Sequence, residues 1–428
     1  MRQNDVSTAA KGRGVKKPKA KPFSFLSAQR FDSIPVTRPA SPTGLPRVTI
    51  LMTDAGGGHR SAARSLAEAL NGQAHVTILN LVDDYAPFPF NQLSPTYGPF
   101  VNRAPWLYRL VYKATEDRKF VVAAENACYP LVQKRISAPL LALAPDLVIS
   151  VHPLLTDLPI RLLRKAGSRA PFVTVVTDPV SVHPAWFCPE ADLCVVATDT
   201  AYRSALEAGM DPARLRVIGL PIRRAFSEMR DQPRSDVRAR LGLQPDWPLV
   251  LLSGSAAGVG KVLPMARAIA RRLAEAPFPA QMAIIAGRNE VLLRQLRTEP
   301  WPIKVVPLGF VEQMADWMRA ADILVTKAGP GTLAEAVCVG TPVIVTDFIP
   351  GQESGNVAWI ERTGAGAFIR EPERVAETIR KWLQPGNPLL IELSARARAA
   401  GRPEAATEIA LAALALCQLR SSEQAGAL

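Results

Sequence analysis

The stretch Ala321–Gly340, ADILVTKAGPGTLAEAVCVG, leaves the chain few options. Ile323, Leu324 and Val325 form the short apolar run of a strand buried on both faces. Ala328, Gly329, Pro330 and Gly331 make a turn almost free of side chains, and Leu333, Ala334, Glu335 and Ala336 are helix formers. A strand that passes through glycines straight into a helix predicts a parallel α/β layer. Such a loop lets backbone N–H groups approach an anion, and the helix behind it adds partial positive charge. A diphosphate suits it. Thr332-x-x-Glu335 also reads as a capping box, so from these residues alone Glu335 is either a ligand group or a cap.

The same alternation runs along most of the 428 residues. Arg47–Thr53 predicts a strand, Asp54–His59 a glycine turn, Ser61–Asn71 an amphipathic helix and His75–Leu81 a second strand. Further buried strands are expected at Asp146–His152, Phe172–Thr177, Leu193–Ala197 and Arg216–Gly219. A second series starts at Leu249–Ser253 and continues through Met282–Ala286, Ile303–Pro307 and Pro342–Thr346. We therefore expect an α/β protein with two Rossmann-like domains facing a cleft. The expected boundaries are a disordered basic tail over 1–45, an N-terminal domain over 46–222 and a polar linker over 223–240. A C-terminal domain over 241–400 and a final helix and tail over 401–428 follow.

Two tempting motifs fail. After Gly56-x-Gly58 the third glycine of a dinucleotide fingerprint is Ser61. In Gly254–Lys261 the spacing is one residue off a P-loop, and Val262 stands where a hydroxyl would hold magnesium. Five scattered cysteines make neither a disulfide framework nor a zinc site.

Of the net charge of +13, +8 falls in the first fifty residues, mostly in KGRGVKKPKAKP at Lys11–Pro22. That tail suits anionic lipid or nucleic acid; without a nucleic-acid-reading motif elsewhere, the expected partner is anionic membrane lipid and no nucleic acid. Eight of the 27 aromatic residues crowd into Tyr85–Tyr112, beside Arg103, Arg109 and Lys113. This composition suits a bilayer interface, or else a loop packing its rings on the core. No apolar run is long enough to span a membrane and no signal peptide is visible, so the expectation is a soluble or peripheral protein.

Read together, the motifs resemble glycosyltransferases of the GT-B type, and most closely the monogalactosyldiacylglycerol synthase and processive diacylglycerol glucosyltransferase family. The matching segments run in order. They are Gly56–His59 with Ser61-Ala62, Thr174–Asp178 with His183-Pro184 and Trp186-Phe187, Gly219–Arg223, Gly287–Asn289, Gly309–Val311, Thr326–Glu335, and Ile349–Glu353 with Gly355-Asn356.

The resemblance implies a GT-B fold and an inverting transfer of galactose or glucose from UDP-galactose or UDP-glucose to diacylglycerol. No cofactor and no metal are expected, because no DxD motif is present. The donor would be held by Ser253, Gly254, Asn289, Phe310, Val311, Gly329, Gly331, Thr332, Glu335, Gln352, Glu353 and Asn356. Glu335 would take the ribose hydroxyls, Phe310 and Val311 would line the uracil site, and Gln352 and Glu353 would meet the sugar. Asn356 would meet the sugar too or cap the next helix. His59 would be the general base, or a hydrogen bond to the leaving diphosphate. Asp178 is the other base candidate, or the orienter of His59. Gly57, Gly58, His183 and Trp186 would line the acceptor side, while His75 and His152 read as structural. One departure is the loop Ser253–Gly260, where Ala256 and Ala257 stand in place of an acidic residue. The expected location is cytoplasmic, peripheral on the inner face of the plasma membrane. The alternatives are transfer to a polyprenyl-linked acceptor and an inert nucleotide-sugar or lipid binder.

Overall fold

The computed structural model describes residues 44–54, 57–254 and 261–425. The basic tail, up to residue 43, and the loop 255–260 lie outside them. Among the described residues two all-parallel sheets of six strands form the frame. The first contains β1 Arg47–Met52, β2 His75–Asn80, β3 Leu147–Ser150, β4 Phe172–Val175, β5 Leu193–Val196 and β6 Leu215–Val217. Its spatial order is β2-β1-β3-β4-β5-β6. The second contains β7 Leu249–Ser253, β8 Gln281–Ile285, β9 Lys304–Leu308, β10 Ile323–Lys327, β11 Val343–Asp347 and β12 Gly366–Phe368. Its order is β12-β11-β10-β7-β8-β9. This is the GT-B architecture.

The apolar runs form strands because both faces of each sheet are covered. Val48, Ile50 and Met52 pack with Ala63, Leu66, Ile409 and Ala413. Leu51 and Val148 turn to the other side and meet Ile136, Leu140 and Leu163. In the second sheet Leu249, Leu251 and Leu324 pack on Leu333 and Val337, while Val250, Leu252 and Val325 pack on Ile269 and Ile379. Pro307 is accommodated because β9 is an edge strand.

Each sheet has one topological switch point, where strand order reverses and a crevice opens at the carboxyl ends. In the first sheet it lies between β1 and β3, and in the second between β10 and β7. His59 follows β1 and the Gly329–Gly331 turn follows β10, so both sit at a switch point.

Two of the expected segments are helical and packed. Residues 223–240, expected as a polar linker, are folded. They form the helices Arg224–Met229 and Arg234–Arg240, whose Phe226 and Val237 enter the core of the second sheet. Their arginines bond inward: Arg234 donates to the Ala321 and Gly340 carbonyls, and Arg238 pairs with Asp322. The last helix, Ala405–Ala425, crosses back and packs on the first sheet through Ile409, Ala410, Ala413 and Leu414.

The stretch after Tyr85 is helical rather than a loop, with helices Leu93–Arg103, Pro105–Ala114 and Arg118–Ala142. Its aromatics divide between two faces. Tyr108 is buried, while Phe88, Trp106 and Phe120 are exposed. Among the described residues no helix is long and apolar enough to cross a membrane.

Candidate active site

The Gly58–Ala69 helix begins directly after the β1 turn, and Gly57 reaches its position with φ of 82°. A positive φ of this size suits glycine. This start carries His59 over the end of β3, where its Nδ1 donates to the Val151 carbonyl at 2.7 Å. A carbonyl only accepts, so Nδ1 bears the proton and Nε2 keeps its lone pair. Thr177 Oγ1 lies 3.3 Å from the same Nδ1. Burial lowers the pKa of His59 to about 4, against the opposing effect of the Val151 bond. The ring is therefore neutral at ordinary pH, a form able to take a proton. His152 packs edge-on against it at 4.4 Å, and its own Nδ1 accepts from the Leu154 N–H. His152 thus braces the His59 ring.

Asp178 does not orient His59; the Val151 carbonyl does. Instead, buried Asp178 accepts from Trp186 Nε1 at 2.7 Å and from Gln352. Burial raises its pKa to about 6, although both bonds pull it down. Trp186 is fully buried, so it anchors Asp178 and presents no surface to an acceptor. His183 is committed as well. Its Nδ1 accepts from the Ala185 N–H, and its Nε2 is 3.0 Å from Thr115 Oγ1.

On the opposite side the Pro330–Cys338 helix starts after the Gly329 turn, with no side chain capping its first turn. Thr332 and Glu335 form no capping box. The helix begins two residues before Thr332, which puts Thr332 inside it rather than at its start. The Glu335 carboxylate carries no hydrogen bond among the described residues. Burial raises its pKa to about 7, while the charge of Arg223 draws it down. Free backbone N–H groups and an unpaired carboxylate on one short helix suit a ligand with both an anion and hydroxyl donors.

Asn356 supports that turn. It does not cap its own helix, Ser354–Thr363; its Nδ2 donates to the Ala328 carbonyl at 2.9 Å, and its buried Oδ1 has no partner among the described residues. Glu353, also buried, accepts from the Ile349 N–H at 2.8 Å, and burial raises its pKa to about 7. Phe310 is exposed beneath the Arg288 guanidinium, 5.1 Å from its ring centre. Val311 packs against the core of the second sheet. Asn289 caps the Glu290–Thr298 helix through its side chain, and Ser253 is buried at the end of β7, followed by Gly254.

The two sides touch. The Gly58–Ala69 helix contacts the Pro330–Cys338 helix. Ser181 Oγ accepts from the Gly355 N–H at 2.9 Å. Gly351, at φ of 91°, and Gly355 allow this approach: a Cβ would lie 2.9 Å from the Tyr112 ring at the first and 2.6 Å from Ser181 Oγ at the second. Tyr97 and Tyr108 donate to Gln352 Oε1 at 2.7 and 2.9 Å. These two tyrosines, Val151 and Ser181 are site residues that the sequence did not single out. The period of the Pro105–Ala114 helix, with Tyr108 and Tyr112 four residues apart, was the available signal.

Residues 59–222 match the family model of monogalactosyldiacylglycerol (MGDG) synthase. Residues 254–409 match that of the glycosyltransferase family 28 C-terminal domain. Over 372 residues the chain is 36% identical to monogalactosyldiacylglycerol synthase of Spinacia oleracea, covering 85% of this chain and 71% of the relative. The chain belongs to the monogalactosyldiacylglycerol synthase family. A probable monogalactosyldiacylglycerol synthase 2 of Oryza sativa subsp. japonica is also 36% identical, over 85% of this chain and 79% of its own length. MurG of Acinetobacter baumannii shares the fold, with a TM-score of 0.57 at 16% identity, over 86% of this chain and 99% of MurG. UGT89C1 of Arabidopsis thaliana does so with a TM-score of 0.53 at 13% identity, over 86% and 99%. The plant relatives of this family are named as chloroplastic. That overturns the expectation of a cytoplasmic enzyme on the inner face of the plasma membrane, which is withdrawn.

Proposed function

We propose that the chain is an inverting glycosyltransferase that moves galactose from UDP-galactose to the free hydroxyl of diacylglycerol. The observation that carries this reading is the pairing of a neutral, oriented histidine on one sheet with an unpaired carboxylate at a glycine-turn helix on the other. The family match supports this acceptor class, and the choice of galactose over glucose rests on relatives named for a monogalactosyl lipid.

In this reading His59 Nε2 takes the proton from the attacking alcohol as its oxygen meets the anomeric carbon, and the diphosphate leaves on the other side. The Val151 carbonyl holds the tautomer and stabilises the imidazolium that forms. The start of the Pro330–Cys338 helix offers its N–H groups to the departing charge, and Glu335 accepts from the ribose hydroxyls. Phe310 and Val311 line the base, and Gln352 and Glu353 line the sugar. The diphosphate is carried by these groups without a metal.

Diacylglycerol lies in a bilayer, so the protein docks there. The Pro105–Ala114 helix turns Tyr108 inward and exposes Trp106, Leu110 and Val111 beside Arg109 and Lys113. An apolar ridge flanked by cations fits an anionic lipid surface.

The test is purified protein with vesicles of diacylglycerol and phosphatidylglycerol, supplied with UDP-galactose or UDP-glucose in separate tubes. Mass spectrometry and NMR of the lipids should give β-galactosyl-diacylglycerol from the first donor. No hexosyl lipid from either donor refutes the reading.

A further inference from the structure

Gln352 is held from both ends by groups of the N-terminal half. Its Oε1 lies 2.7 and 2.9 Å from the hydroxyls of Tyr97 and Tyr108, which also bond each other, so the three oxygens form one hydrogen-bonded cluster with the amide oxygen as acceptor. Burial raises the pKa of both phenols, which stay protonated donors. At its other end the amide meets the Asp178 carboxylate. An ionised carboxylate only accepts, so it faces Nε2. Flipping the amide would set its oxygen against the Asp178 carboxylate, which repels it, and would force both phenol hydrogens to rotate away. One orientation wins, and a single N–H of Gln352 is left over.

We propose that Tyr97 and Tyr108 are positioning residues that lock Gln352 so that it meets the transferred hexose only as an N–H donor. This rests on the reading that the loop after β11 holds the sugar of the donor. Galactose and glucose differ in the direction of one hydroxyl. A free amide could rotate and offer either its oxygen or its nitrogen to either epimer. A locked amide offers one donor at one place, and a sugar whose hydroxyl oxygen lies elsewhere leaves that N–H unpaired. The tyrosines thereby give the site its preference between the two sugars without touching them. They come from two helices, Leu93–Arg103 and Pro105–Ala114, that contact each other, so the lock belongs to a packed unit rather than to a single side chain.

The experiment is a mutant cycle on the full chain with the vesicle assay above. Tyr97→Phe/Tyr108→Phe keeps the rings and removes only the hydroxyls. We expect kcat/KM with the preferred donor to fall about tenfold and the ratio between UDP-galactose and UDP-glucose to narrow about tenfold. Inhibition by UDP, which lacks the sugar, should stay within about twofold. In a Gln352→Ala background the same two substitutions should change nothing further, because their target is gone. An unchanged donor ratio, or an equal loss in the Gln352→Ala background, overturns the assignment while the proposed function stands. Wild-type protein that makes no hexosyl lipid from either donor overturns the proposed function, and this assignment with it.

Discussion

The two sheets end in unlike ways. On the N-terminal side the three candidate side chains already hold partners: His59 bonds Val151, His183 bonds Thr115 and Ala185, and Asp178 bonds Trp186 and, across the cleft, Gln352. On the C-terminal side, among the described residues, the Glu335 carboxylate has no hydrogen bond and Asn356 Oδ1 is buried without a partner. The first is the pattern of a preorganised reacting group, whose geometry is set before substrate arrives. The second is the pattern of a receptor, whose groups gain their partners from the ligand. In the proposed reading, two sheets of nearly the same topology divide chemistry from recognition.

That division can be broken by kinetics. His59→Ala should lower kcat about 10²–10⁴-fold and leave UDP affinity within about twofold, measured by calorimetry. Loss of UDP binding would place His59 among the receptor groups. Glu335→Gln should do the reverse: UDP affinity falls about 10–100-fold, as expected for a hydrogen bond to a charged group, with kcat at saturating donor little changed.

Two smaller effects sharpen the contrast. The Trp186 bond lowers the pKa of Asp178, which stands at about 6. Trp186→Phe removes that bond, so the acidic limb of kcat/KM should move to higher pH. An unmoved limb would show that it does not report Asp178. Protonation of His59, with a pKa near 4, lies below that limb.

The smallest effect concerns stability. The pKa of Glu335 is raised in the folded chain to about 7 from an ordinary 4.5. The native state therefore binds more protons than the unfolded state between those values, and stability falls as pH rises through that window. Glu335→Gln should raise the melting temperature of the ligand-free protein by about 1 °C at pH 8, on the scale of about 1 kcal/mol, and much less near pH 4.5. A scan of Tm against pH for both proteins checks the sign.

Much of this frame was legible in the residues. Buried parallel strands need unbroken apolar runs, and LVLLS, MAIIA and FVTVV supply them. The glycine turn before the Pro330–Cys338 helix and the glycine–histidine start of the Gly58–Ala69 helix were visible too. Other features were hidden because their meaning is tertiary. Arg234 and Arg238 look like solvated charges in sequence, yet they pay their desolvation by bonding carbonyls and a carboxylate of the second domain. The aromatic stretch read as uniform in composition, but the helical period sends Tyr108 to the cleft and Trp106 to the surface. Glu335 and Thr332 had the spacing of a cap, but Pro330 starts the helix earlier and takes the N1 position.

The return of the final helix to the first sheet has a mechanical consequence. The chain passes between the halves twice, once near Gly219 and once near Arg402, and the passages lie side by side: a Cβ on Gly219 would come within 2.9 Å of Arg402 Cβ. Two ropes fastened at the same spot make one pivot, and the far lips of the cleft are the ends of its levers. A methyl group added at Gly219 pries the two passages apart, and the levers magnify that small wedge where Tyr108 reaches for Gln352. Cutting the chain after the first passage would instead strip Ile409, Ala413 and Leu414 from the core of the first half, so the halves are jointed but not detachable.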